Sequence, residues 1–165
     1  MKPIAITVLV TGLALGCGNN HKHNGHHHHG DDGHHHDDEG HAHEAPNGGK
    51  MVELGEDACH LEFLLDESNA TRMTLLAHEF HPRKAYVKLP MAQIEVMAKV
   101  GDEEKKLVFK PVVSATLGNN ATHSSEYEAT ADWLKDTREF TARIVYLDFP
   151  GGVTHNKPFQ FPEKN

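Results

Sequence analysis

The chain is poor in most of the features that commonly carry chemistry. It has two cysteines, Cys17 and Cys59, and one tryptophan, Trp133, in 165 residues. Two thiols cannot build a disulfide framework, and if Cys17 is used elsewhere no intramolecular bridge is possible. Basic side chains are outnumbered, 16 Lys and Arg against 24 Asp and Glu, for a formal net charge of −8 with His neutral. That balance argues against nucleic acid as a partner, because phosphate binding needs a basic face. There is no Gly-rich phosphate loop, no G-x-S-x-G, no C-x-x-C and no paired-acid arrangement, so the chain is not expected to be an enzyme. No long helical pattern lies between strand-like segments, which excludes a parallel α/β sheet. The longest apolar run, "IAITVLVTGLALG" (Ile4–Gly16), is too short to cross a bilayer comfortably.

That run, preceded by Lys2, has the form of a signal h-region. It ends in "LALGC", which resembles a bacterial lipobox with Ala14 where leucine is usual. On that reading the signal is cut before Cys17, and a diacylglyceryl group sits on its sulfur. An ordinary cleaved signal is the alternative. Gly18 in place of aspartate favours outer-membrane sorting in a Gram-negative cell. The expected location is the bacterial envelope, lipid-anchored and facing the periplasm. The mature group carries several acyl chains, so it holds more firmly than a single fatty chain.

Residues 18–46 are His, Asp, Gly and Asn with almost no apolar side chains. Such a segment cannot offset its chain entropy by burial, so it is expected to be disordered without ligand. It carries eleven of the chain's sixteen histidines: His21, His23, His26, His27, His28, His29, His34, His35, His36, His41 and His43. Neutral imidazole binds Zn(II), Ni(II), Cu(II) and Co(II). Carboxylates such as Asp37 and Asp38 offset the ion's charge and can accept from the second ring N–H. The expected cofactor is therefore Zn(II) or another divalent transition metal, loosely bound. Interrupted histidines behind an intact signal do not look like a cloning tag. A spacer would more simply be Ser, Gly and Pro.

Residues 47–165 have globular composition and read as β. "CHLEFLL" alternates, with Cys59, Leu61, Phe63 and Leu65 on one face. "QIEVMAKV" places Ile94, Val96, Ala98 and Val100 inward, and "GDEE" turns it into "KKLVFK" as a hairpin. "PVVSATL" reads as a strand opened by Pro111, followed by "FTARIVYLDF", a "PGG" turn and a short final "KPFQF". "RMTLLAHEF" and "AYVKL" complete the set, and "ADWLKD" alone reads helical, for a turn or two. The rhythm predicts a small antiparallel β-sandwich, immunoglobulin-like, with one short helical turn.

Within that domain His60 and Glu62 stand two apart in a strand, on one face, expected to be the polar one. They could form half of a surface metal site, although an exposed polar patch is the simpler reading. "HEFH" (His78–His81) lacks the four-residue helical spacing of a zinc protease, and in a strand the two would face opposite sides. Cys59 reads as a small buried hydrophobe. His123 and His155 read as loop residues.

"HAHEAPNGGKMVELGEDACHLEFLLD" resembles segments of His-rich bacterial envelope lipoproteins, and of periplasmic regions of heavy-metal efflux adaptors. The matching positions are Gly48, Gly49, Glu53, Leu54, His60 and Glu62, with Asn47 where related segments often have histidine. The long helical hairpin of a pump adaptor is absent. The resemblance implies compartment and metal association. The expected function is metal buffering near the membrane, or delivery to an efflux or uptake system. The rival is a protein- or glycan-binding sandwich with the tail as a solvated spacer; an enzyme using His60 and Glu62 at a metal is a more distant reading.

Overall fold

The structure, a computed structural model, describes residues 43–162. The signal, Cys17 and the tail residues from His21 to His41, with Asp37 and Asp38, lie outside the described residues. The chain forms β1 (Lys50–Leu54), β2 (Cys59–Leu65), β3 (Arg72–Glu79), β4 (Ala85–Tyr86), β5 (Ile94–Val100), β6 (Glu103–Pro111), β7 (Glu126–Thr130), β8 (Phe140–Phe149) and β9 (Gly152–Phe161). One 3-10 turn, Asp132–Lys135, precedes β8. Among the described residues no helix is long and apolar enough to cross a membrane.

All strand pairs are antiparallel, in the order β1-β2-β3-β7-β6-β5-β8-β9, with β4 on the end of β3. Strand β6 belongs to both halves. Its first part pairs with β5, while Lys110 and Pro111 pair with β7. The sheet turns there, and its two halves enclose the core as the sandwich reading expected. Leu61, Phe63, Leu75 and Tyr127 come from one half; Ile94, Val96, Leu107, Phe109 and Ile144 come from the other. Phe63 meets Phe109 edge-on at 5.7 Å and stacks on Phe159 at 4.5 Å. Each fully buried side chain of this size contributes about 1.5–3 kcal/mol. Tyr127 keeps its hydroxyl satisfied by donating toward the carbonyls of Leu89 and Met91.

The alternating segments appear as strands. "CHLEFLL" is β2, "IEVMAKV" is β5, and a tight turn joins β5 to β6. Leu134 of the helical turn is buried, and Trp133 meets Phe140 edge-on. Three local readings are corrected. "PVVSATL" is not a strand: Pro111 ends β6, and the chain then loops out, leaving Val113 and Leu117 exposed. "EYEAT" forms β7 instead, because Tyr127 and Ala129 supply the alternating core contacts at Glu126–Thr130. The last strand begins at Gly152 rather than at Lys157, which makes His155 a strand residue.

The correction that bears on function concerns β2. Its Cys59, Leu61 and Phe63 enter the core, but His60 and Glu62, expected on an exposed polar face, are 2% and 0% exposed. Two pieces of chain cover that face. Residues 43–49 lie along it, and the connection after β3 brings Phe80 over His60 with ring centroids 4.7 Å apart. Alternation assigned the side chains to the right face, but it carries no information about what a neighbouring segment lays on that face.

Candidate metal centre

The β1–β2 connection supplies one acid. Gly55, Glu56 and Asp57 all have positive φ, 60°, 51° and 76°. Aspartate tolerates the left-handed region better than most residues, though at some cost. The Ala58 N–H closes the turn on the Gly55 carbonyl, and positive φ at both central residues is what such a hairpin turn requires. The turn sets the Asp57 carboxylate among three imidazoles. Its Oδ1 is 3.1 Å from His43 Nε2 and 3.0 Å from His60 Nε2, and its Oδ2 is 3.2 Å from His81 Nε2.

Those histidines come from three separate places. His43 lies seven residues before β1, His60 lies on β2, and His81 follows the end of β3. His43 stacks on Phe80 at 4.3 Å, and its ring stands edge-on to His60 at 4.9 Å and to His81 at 5.3 Å. Among the described residues, two groups each bring their potential ligand atoms within 4.8 Å of one another: His43–Asp57–His81, and Glu53–Asp57–His60. Asp57 belongs to both. Glu53 pairs with His60 across the β1–β2 ladder. Tetrahedral Zn(II) holds nitrogen at about 2.0–2.1 Å and oxygen at about 2.0–2.2 Å, so a small contraction of either group around an ion gives three protein ligands.

The central observation is the state of His60. The residue is 98% removed from solvent, yet among the described residues neither ring nitrogen has an aligned hydrogen-bond partner, and nor does Asp57 Oδ1. The 3.0 Å contact between His60 Nε2 and Asp57 Oδ1 lacks hydrogen-bond alignment. Buried polar atoms without partners are costly, and they are uncommon in native folds. A cation between these atoms satisfies both. Burial holds His60 below the ordinary imidazole range, with Asp57 only partly opposing this, so the ring favours its neutral, ligating form. The hydrogen bond from His43 holds the Asp57 carboxyl below its usual range. His81 is largely exposed, so the centre opens to solvent on that side.

A second polar group lies next to the first on the covered face. Glu62 accepts from the backbone N–H of Asn47 at 2.8 Å, the Asn47 side-chain amide at 2.8 Å and the Gly49 N–H at 3.0 Å, and it meets His78 Nε2 at 3.2 Å. Glu62 is thus fully partnered and does not face the Asp57 cluster as a ligand.

Of the residues expected to bind metal, the structure brings His43 and His60 together and assigns Glu62 to a different network. The other expected ligands, His21, His23, His26, His27, His28, His29, His34, His35, His36, His41, Asp37 and Asp38, lie outside the described residues. Asp57 and His81 were not anticipated. Strand β3 ends at Glu79, so alternation stops before His81 and does not turn it away from His78's side. The acidic turn "GEDA" immediately before a histidine-bearing strand was the available signal for Asp57. His123 and His155 stand apart from the cluster, beside Thr122 and Tyr146. No protein-family model, curated protein or solved structure matches the chain.

Proposed function

We propose that this chain is a lipid-anchored envelope protein that binds a divalent transition metal, Zn(II) first, with Ni(II), Cu(II) and Co(II) as competitors. The domain offers a defined centre on His43, Asp57, His60 and His81, with Glu53 at its margin. The histidines between His21 and His41 supply further, exchangeable imidazoles on the same chain. Metal buffering, or delivery to a transport system, is the role this combination suits. The observation that carries the reading is the buried His60 ring, whose nitrogens have no aligned hydrogen-bond partner among the described residues, 3.0 Å from an Asp57 oxygen in the same state.

Three features make the centre suited to transition metal. Its donors are mainly imidazole nitrogen with one or two carboxylates, a borderline set that disfavours Mg(II) and Ca(II). Its buried histidine favours the neutral ring. Its exposed histidine leaves a route for ligand exchange. The test uses the full chain with serine at the ten histidines from His21 to His41, leaving His43 and the domain intact. Zn(II) titration at pH 7.5 is expected to show a retained site, and His60→Ala in that background is expected to abolish it. If only the unsubstituted chain binds, the tail alone is the metal-binding element. If neither binds, the sandwich is better read as an interaction module.

A further inference from the structure

We infer that Glu62 and Asn47 form a latch that seats His43 in the metal centre, so that metal binding and docking of residues 43–49 are one coupled event. This rests on the metal reading above and adds its regulation: a centre that is complete only while this short segment lies on β2.

The latch is built from few atoms. Ala45–Gly48 is a turn closed by the Gly48 N–H on the Ala45 carbonyl, with Gly48 at φ 76°. On leaving the turn, the chain presents the Asn47 and Gly49 amides to the Glu62 carboxylate, and the Asn47 side chain donates to the second oxygen. Charge-assisted bonds of this kind are stronger than neutral ones, and a fully buried carboxylate depends on all of them. The seat is close-fitting. A Cβ on Gly49 would lie 2.5 Å from the Phe63 carbonyl oxygen and 2.8 Å from Glu62 Cγ. His43 is four residues before Asn47 and is held at the centre by Phe80 and Asp57. Glu62 also contacts His78, on the strand that leads to Phe80 and His81. One buried carboxylate therefore fixes two of the three chain segments that deliver histidine to the ion. Glu62 and Asn47 touch no ion themselves; they are positioning residues.

If docking and metal are coupled, the coupling is reciprocal: whatever loosens the segment weakens the metal, and the metal tightens the segment. A double-mutant cycle with Zn(II) as probe, in the full chain carrying serine at the ten histidines from His21 to His41, reads the coupling directly. Asn47→Ala is the mild variant and Glu62→Gln the stronger one. Each is expected to weaken Zn(II) about 10–100-fold when His43 is present, the range typical of groups that orient a ligand, and less than about 3-fold once His43→Ala is in place. Zn(II) is also expected to slow amide exchange at Asn47 and Gly49 in the His43 chain and not in H43A. Equal weakening with and without His43 overturns the latch, because it shows a general effect on the fold. No weakening by N47A or E62Q overturns it as well. Those two outcomes leave the metal reading standing, whereas failure of the ten-serine chain to bind Zn(II) removes both.

Discussion

His60 and His78 face each other across the β2–β3 ladder, and each is turned to a different acid. His60 stands 3.0 Å from Asp57, without an aligned hydrogen bond, and His78 stands 3.2 Å from Glu62, with one. One pair is closed and the other is open. The closed pair ties the covering segment to the sheet, and the open pair is where the proposed cation would sit.

The first prediction follows from the open pair. If a metal sits in the Asp57 cluster as proposed, His60→Ala removes a ligand at its least accessible point. In the ten-serine chain it is expected to weaken Zn(II) by at least about 100-fold, the upper end of what indirect ligand partners cost. His155→Ala, on the exposed side of β9, is expected to change affinity less than about 2-fold. Calorimetric titration of the two variants side by side checks this. Equal effects contradict the assignment.

The strained turn gives a second prediction. Asp57 occupies φ 76°, a conformation that costs a non-glycine residue roughly 1–2 kcal/mol. The hydrogen bond from His43 offsets part of that cost by stabilising the ionised carboxylate. Asp57→Gly relieves the strain and loses that bond, so the melting temperature of metal-free protein is expected to stay within about 2–4 °C of the parent, while any stabilisation by Zn(II) is expected to disappear. A larger fall without metal means that the aspartate is structural.

The pH dependence of stability has a definite sign. Burial lowers the His60 and His78 pKa values from 6.5, so between the folded and unfolded values the unfolded chain binds more protons. Stability is then unaffected by these groups above about pH 6.5 and falls as pH drops below it. Asp57, lowered from 3.8, acts in a separate window: its contribution is lost only as pH falls below that value. Urea midpoints of metal-free protein are expected to decline between pH 6.5 and 5.5. In His78→Gln, which keeps a donor for Glu62 but cannot titrate, the decline should be shallower. An unchanged slope in H78Q removes His78 from the explanation.

Cys59 supplies a prediction about the core. It is fully buried, and burial pushes its thiol up to about 12, with Glu79 adding to the effect. A thiol-specific reagent at pH 8 is expected to label it at the rate of unfolding, and fast labelling is expected only in denaturant. Rapid labelling of the native protein contradicts the packing around β2.

Much of this was legible in the sequence for a simple reason. Strands whose residues alternate between core and solvent, such as Ile94–Val100, announce their faces. The hairpin into β6 was legible by the same means, and the helical turn was legible as the one segment, "ADWLKD", that breaks the strand pattern. Strand β2 gave its inward face, Cys59, Leu61 and Phe63, but not the fate of the other. His60 and Glu62 look exposed until residues 43–49 are laid over them, a non-local event without a periodic signal. Asp57 was missed because an acid in a turn is ordinarily solvent-exposed. His81 was dismissed by a strand argument that does not apply beyond Glu79. His43 was counted with the histidine-rich tail, and the structure shows it packed against Phe80. The expectation of metal came from composition, whereas the cluster around Asp57 depends on three distant segments meeting, which composition does not encode.

The most direct test of the metal centre is anomalous diffraction at the zinc edge from crystals grown with Zn(II). The account predicts a peak beside the Asp57 carboxylate, about 2.0–2.2 Å from ligand atoms of Asp57 and of at least two among His43, His60 and His81. A domain with no peak there, in crystals of protein that binds Zn(II) in solution, contradicts it.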